Sequence, residues 1–498
     1  MMSTVTETTD RAGVYRFGPR ETRGVLLGLR AGQLALLLIG AIAVVVGLSV
    51  GPLGALGGVI VLAAAATAAL MPVAGRTAEQ WLPAWVAYLL SRLVDGGRTY
   101  WRPQRATRPG EAITLGLPGP LARLTMTEPR VDGDRAIGVI HDPSAGTLTA
   151  VAAVRGSTFA LADAADKDRR IAAWGGLLAG LARDGSPVRR LAWLERTLPD
   201  PGDALERFWA EAGGKGSPTA ASSYRSLIAA ATPVTQAHET HLVLQLDPRR
   251  SRRSSRKNAA GTDGSTTVLM RELAAVQEQL LRAGLELAGW LPPRALAAVL
   301  RTSYEPGASR TLARRSDGEG DGGGVDVAAA GPMATENAWA HYRTDDAWHA
   351  TYWISEWPRL PVGADFLAPL ILTTSCRRTV AVVAEPVDPR RAARETRAAR
   401  TAELANAALR ARMGQVTTGR TRTEAADVEE REAELVAGHA AYRFSGYITV
   451  SGRSLQELED GCGQVEQTAH RAFLEIRRLY GQQDEAFTFT LPLARGLQ

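Results

Sequence analysis

The chain has 498 residues, 45 % of them apolar, with 58 Lys+Arg against 52 Asp+Glu and two Cys. That length allows two or three domains and a core that needs no staple; Cys376 and Cys462 show no CxxC or Cys/His spacing, which speaks against a disulfide scaffold or a zinc ribbon. Residues 1–110 carry eleven Arg and five acids, so the whole excess of +6 sits there and residues 111–498 are neutral, which is not the footprint of a general DNA binder.

Residues 1–30 form an N-terminal tail. From Ala31 to Gly75 there is no charged side chain. Residues 31–50 and 52–71 are each long enough, at about 1.5 Å per residue, to span the ~30 Å core of a bilayer. Gly51-Pro52 is the break between them, so residues 31–75 read as a transmembrane hairpin. Arg flanks both outer ends and is missing from the turn, which predicts both termini on the cytoplasmic side of the cell membrane. Gly47/Gly51 and Gly54/Gly58 have the small-xxx-small spacing that permits close helix contact.

Residues 77–110 read as an amphipathic helix (77–98) and a Pro-rich linker. Trp81, Trp85 and Tyr88 recur at helical spacing and are candidate membrane anchors. Packing of the same helix on the soluble body is the competing reading.

Residues 111–304 read as a first α+β domain. Strands are expected at 136–142 and 147–155, joined by Pro143-Ser144-Ala145-Gly146, then at 188–197 and 241–246. Helices are expected at 163–184, 217–237, 266–287 and 292–303. Arg249 to Lys257 holds six basic residues in nine, including Arg249, Arg250, Arg252 and Arg253. It reads as an anionic-lipid or nucleic-acid contact, or as a solvated loop. Residues 305–335, with a run of Gly and acids at 317–324, read as a flexible linker.

Residues 336–498 read as a second domain. Strands at 350–357, 378–385, 442–450 and 486–491 and helices at 362–373 and 455–479 give the order β-α-β-β-α-β of a ferredoxin-like sandwich. A charged helical excursion over residues 388–438 replaces the usual hairpin and is expected to meet a partner, a neighbouring subunit or itself. The fold class is thus α+β: a membrane hairpin followed by cytoplasmic α+β domains, the last ferredoxin-like with a helical insertion.

No motif for catalysis emerges. There is no GxxxxGK[ST], no HExxH and no GxSxG; Gly213-Gly214-Lys215-Gly216-Ser217 lacks the Ser/Thr position a phosphate loop needs. No catalytic, cofactor or metal residues are expected, and no enzyme.

One stretch is distinctive: Tyr352-Trp353-Ile354-Ser355-Glu356-Trp357-Pro358, followed by Pro361-Val362-Gly363-Ala364-Asp365-Phe366-Leu367-Ala368-Pro369-Leu370. With Arg378-Thr379-Val380-Ala381-Val382, Gly446 to Ser451 and Leu491 to Gly496, it resembles an actinobacterial family of two-helix integral membrane proteins encoded beside conjugation-like, type IV secretion ATPases. The layout is similar to a small inner-membrane subunit joined to the non-catalytic N-terminal half of a CagE/TrbE-type ATPase. The resemblance implies a membrane platform that holds a separate secretion ATPase and other apparatus subunits, and assembles as an oligomer. Trp353, Trp357, Phe366 and Leu370 are its candidate contacts, or plain core. Alternatives are a ring component of a type VII secretion membrane complex, a membrane-anchored enzyme, and a membrane-tethered DNA-binding protein using the 249–257 stretch.

Overall fold

A computed structural model describes residues 31–71, 77–95, 98–100, 113–131, 135–156, 162–199, 209, 217–231, 236–252, 262–309, 311–312, 324–372, 375–412, 426, 429 and 432–497. Three helices come first: α1 (Ala31–Val50), α2 (Pro52–Leu70) and α3 (Ala78–Asp95). The body then builds fourteen strands into one antiparallel sheet. They are β1 (Arg98–Tyr100), β2 (Ile113–Thr114), β3 (Thr125–Thr127), β4 (Val139–Asp142), β5 (Thr147–Gly156), β6 (Val188–Pro199) and β7 (Gln236–Leu246). They continue with β8 (Leu285–Trp290), β9 (Ala334–Asn337), β10 (Tyr342–Thr344), β11 (Ala347–Glu356), β12 (Arg377–Pro386), β13 (Tyr442–Gly452) and β14 (Glu475–Arg478). The longer body helices are α4 (Ala164–Leu181), α5 (Pro218–Ala231), α6 (Thr262–Arg282), α7 (Pro293–Tyr304), α8 (Pro389–Arg412) and α9 (Leu455–Arg471).

The sheet runs β1-β9-β10-β11-β13-β12-β6-β7-β5-β4-β3-β2, with β8 also on β5 and β14 also on β11. This order contains one pattern twice. In the first half, β8 pairs β5, β5 pairs β7 and β7 pairs β6. In the second, β14 pairs β11, β11 pairs β13 and β13 pairs β12. Each half is therefore ordered fourth-first-third-second. In each, a short hairpin strand (β4 or β10) shares the edge of the first strand with the fourth. The halves join where β6 and β12 lie antiparallel, Leu191 opposite Ala384 and Thr197 opposite Arg378. A pseudo-two-fold axis passes between Leu194 and Ala381.

Successive strand side chains alternate faces, so each strand feeds two cores. On one face, Ala150, Ala152, Leu242 and Leu244 pack under α4 and α6, through Leu177, Leu181, Leu269, Leu273 and Leu280. On the same face of the second half, Tyr352, Ile354, Val380, Ile448 and Val450 pack under α9, through Leu458, Cys462 and Val465. The opposite face carries a core shared by both halves: Val151, Leu194, Val243, Ala381 and Val383 against Leu296 and Leu300 of α7, Phe487, Leu491 and Leu493. The helix ends follow ordinary chemistry. Asp163 and Ser454 cap α4 and α9 by accepting from the amides of Asp166 and Glu457.

Several elements differ from expectation. The fourth strand of the second half is Glu475–Arg478, not residues 486–491. Helix α9 stops at Arg471, Phe473 takes φ +55°, and the chain turns back onto the edge of β11. Residues 483–490 are instead short helical turns. Helix α6 likewise ends at Arg282, where Gly284 (φ +70°) releases Leu285–Trp290 to form β8. Strand β7 starts at Gln236, five residues before the expected point. The helix expected at 362–373 is only Ala368–Leu372, with Pro369 in its first turn. The segment expected as linker at 305–335 has Val327 and Ala330 buried in the shared core, and residues 313–323 lie outside the described residues. The architecture is α+β, with one sheet running through both expected body domains.

Candidate functional site: membrane hairpin, aromatic clamp and central seam

Helices α1 and α2 carry no charged side chain, and many of their Leu, Ile and Val side chains, among them Leu38, Ile42, Val45, Leu53 and Ile60, are exposed. Both are long enough to cross a membrane. Gly47 lies against the backbone of Gly54, and a Cβ on Gly58 would sit 2.6 Å from the Ala43 oxygen. These glycines form the seam between the two helices. Gly51 instead makes the turn, at φ +123° with open space around it. The open end is closed by Gln33, whose Nε2 donates to the Ala69 carbonyl at 2.8 Å. The hydroxyls of Ser49 and Thr67 are spent on carbonyls of their own helices, so neither is left bare in an apolar setting.

The candidate anchors on α3 divide between two faces. Trp81 stacks on Trp339 with ring centroids 5.8 Å apart, and Tyr88 meets the same ring edge-on at 5.2 Å. Tyr480 closes the group, 6.1 Å from Trp81 and 6.5 Å from Trp339. Ala84, between them on the same face, is fully buried. Trp81 and Tyr88 thus clamp α3 to the body, while Trp85 points away and is exposed. Trp339 lies in the β9–β10 turn and Tyr480 just after β14. Neither belongs to a periodic pattern, so nothing in the sequence marks them as partners of α3. The glycine after Tyr480 is part of the same fit: Gly481 (φ +74°) donates its amide to the Trp339 carbonyl at 2.8 Å, and a Cβ there would meet the indole at 2.6 Å.

The tryptophan block splits as well. Trp353 and Trp357, four residues apart, would share one face of an uninterrupted strand. The pairing of β11 with β14 shifts register between Ile354 and Glu356, so the alternation breaks. Trp353 therefore packs on the face of Tyr447 and Phe489, and its Nε1 donates to Ser445 Oγ at 2.9 Å. Trp357 packs on the opposite face, edge-on to Phe366 at 6.3 Å and Phe444 at 5.3 Å. Leu370 is fully buried in that core. The block thus packs on both faces of the sheet.

At one end of the central strands a cavity of about 790 Å³ opens on the seam between the halves. Arg249, Arg250, Arg391, Arg443, Asp247, Glu385 and Asp388 line it. Arg250 turns inward toward Asp247 and Glu385, each 3.9 Å away, and Arg190 bonds Glu385 at 3.1 Å. Arg249 lies against the β4–β5 turn at Gly146. Arg252 ends the short helix Pro248–Arg252, and Arg253 is outside the described residues. The two described guanidiniums thus fold back onto the protein at a mixed-charge site.

Buried polar groups sit at the seam, Glu195 and Arg196 of β6, and in the second half, His349 of β11. Glu195 accepts from Thr240 at 2.7 Å and meets His238 at 3.0 Å; burial pushes its carboxyl up. Arg196, fully buried, donates to Thr302 of α7 and pairs with Glu239. His349 bonds Thr344 and Ser451, both at 2.8 Å, and burial holds its imidazole down at about 3. Among the described residues no three of His, Cys, Asp and Glu converge as a metal site.

Residues 234–354 match the family model described as "Putative type VII ESX secretion system translocon, EccE". The matched stretch runs from the start of β7 through α6, β8 and α7 into β11, and so crosses from the first half to the second. Comparison with curated proteins finds no match. Two apolar helices long enough to cross a membrane, beside a match to a secretion translocon family, suggest a membrane-associated secretion component.

Proposed function

We propose that this protein is a non-catalytic, membrane-anchored subunit of a type VII-like secretion apparatus, with its termini and body on the cytoplasmic face. The observation that carries this is the match over residues 234–354, a stretch that runs from the first half of the body into the second. It favours the type VII alternative over the type IV layout suggested by the tryptophan-proline block, whose Trp353, Trp357 and Phe366 are half-buried against the body. The Arg excess at the outer ends of an apolar hairpin supports the orientation. The repeated fourth-first-third-second strand order supports reading each half as a ferredoxin-like unit.

The body in this reading is a platform. It holds other subunits of the apparatus, a secretion ATPase among them, at the membrane, where tethering raises their local concentration. Helix α8 is the preferred contact. It leaves the sheet at the end of β12, and along its described length only Ala392 and Thr396 are buried. Nucleic acid is the weaker reading, because Arg250 is turned toward carboxylates of its own chain. The test is purification of the tagged full chain from native membranes in mild detergent, with mass spectrometry of what accompanies it. Type VII membrane subunits in a large complex are expected. Recovery with type IV components, or alone, overturns the reading.

A further inference from the structure

Helix α3 shows two faces with different fates. Its clamped face, Trp81, Ala84 and Tyr88, is taken up by the body. The other carries Leu82, Trp85, Val86, Leu89, Leu90 and Leu93, all exposed, from 37 % at Leu89 to 81 % at Leu93. Between Leu82 and Leu93 the one charged side chain is Arg92, whose guanidinium lies 5.6 Å from the Tyr88 ring. A strip of that size is not left to water by a soluble surface.

Its position says what covers it. Seven residues separate α3 from the end of α2, and the Glu79 side chain of α3 lies against Gly32 at the first turn of α1. Gln33 ties that turn to the last turn of α2. The N-terminal end of α3 is therefore at the open end of the hairpin, where the two spans leave the bilayer. From Leu82 to Leu93 is about 17 Å at ~1.5 Å per residue, too short to cross ~30 Å of hydrocarbon but suited to lying along its surface.

We propose that this strip of α3 lies in the headgroup–acyl boundary of the membrane while the opposite face grips Trp339 and Tyr480, so that α3 is a splint fixing the β1 edge of the sheet to the bilayer surface. Strand β1 follows α3 after two residues and pairs β9 at that edge. The hairpin alone would leave the body on a swivel. The splint sets which edge faces lipid and which faces the cytoplasm. The proposal rests on the membrane-anchored reading, and the experiment separates the two.

The full chain, with Cys376→Ser and Cys462→Ala, would be reconstituted in phosphatidylcholine–phosphatidylglycerol vesicles. A bimane label would be placed singly at Val86→Cys, Leu93→Cys, Val45→Cys in α1, or Leu404→Cys in α8. Phosphatidylcholine brominated at carbons 6 and 7 is expected to quench Val86 and Leu93 labels at least twofold and spare Leu404, with aqueous iodide giving the reverse. Iodide access at 86 and 93 with lipid quenching retained at 45 overturns the splint and leaves the anchor standing. Loss of lipid quenching at 45 as well overturns the anchor itself. Disulfide cross-linking of unlabelled Val86→Cys chains into dimers, without lipid quenching, gives the strip to a second copy and also overturns the proposal.

Discussion

The two halves of the body use one strand order and fill it differently. In the first half Val151 of β5 faces Val243 of β7, and both enter the shared apolar core. The corresponding pair in the second half is Thr351 of β11 facing Thr449 of β13. Their hydroxyls are 2.9 Å apart, and Thr449 is 2.7 Å from Thr490. The Thr351 amide donates to Gln483 at 2.8 Å. The first half closes by burial, which is non-directional. The second closes by a satisfied polar ladder that locates the C-terminal turns against the sheet. Its outer side carries the Trp339–Tyr480 clamp. The half that clamps α3 is thus the half with directional bonds, and the other is the more generic core.

If the halves are one cooperative unit, the largest effect comes from their common axis. Leu194→Ala removes a side chain 1 % exposed, opposite Ala381. It is expected to cost roughly 2–5 kcal/mol. Urea unfolding of the detergent-solubilised chain, followed by tryptophan fluorescence, should show one transition shifted as a whole. Two transitions, with one unmoved, would mean that the shared sheet does not couple the halves.

A buried histidine in each half sharpens the contrast. His349 has three partners, Thr344, Ser451 and the Tyr304 carbonyl; the Nδ1 of His241 has no hydrogen-bond partner. His349→Leu should cost about 1–3 kcal/mol by stranding those groups, and His241→Leu should be near neutral. Burial holds both imidazoles down at about 3. Unfolding then takes up a proton at each site below the ordinary histidine range, so stability is full above about pH 6.5 and falls as pH drops toward 3. At pH 5 each would cost about 2 kcal/mol relative to pH 7, and each substitution should remove its share. An unchanged acid limb in both variants would show that these histidines do not set it.

Much of this fold was legible in the sequence because its signals are local. The charge-free hairpin, Asp163 before α4 and Pro293 at the start of α7 each act within a few residues. What was hidden depends on distant partners. The strand Glu475–Arg478 is four residues long, and it is a strand because the left-handed Phe473 aims it at β11. The duplication was hidden because Val151/Val243 and Thr351/Thr449 share a position and no chemistry. Of the candidate site, helical spacing picks out Trp81 and Tyr88 but as membrane anchors; that they grip the body is hidden because their partners Trp339 and Tyr480 sit in irregular segments that no period marks.

The clamp offers a smaller and more local break. Gly481→Ala forces a side chain into φ +74° and against the Trp339 ring. A cost of roughly 1–2 kcal/mol is expected from the backbone alone. The effect should concentrate at α3, seen as faster amide exchange at residues 81–88 with β5–β7 unchanged. Uniform exchange across both halves would mean that the clamp is not a local device.

The smallest effect on stability is expected from the excursion, which is where the platform reading is most exposed. Helix α8 meets the body through Ala392 and Thr396, through Arg390 and Asp184 at 3.0 Å, and through Arg443 and Glu395 at 3.1 Å. Arg400 pairs with Glu432 on the returning helical segment of the excursion, so part of its charge is internally matched. Surface pairs of this kind are each worth at most about 1 kcal/mol. Deleting residues 390–437 and closing the gap with a short turn should therefore change stability by about 1 kcal/mol or less, since β12 and β13 remain paired over their whole length. A segment so weakly tied to its own body, and so long, is better explained by what it meets than by what it supports. The same deletion should leave the protein in the membrane and release the ATPase from pull-downs. Full retention of the ATPase would move the docking surface off the excursion, and the seam cavity between the halves would be the next place to cut.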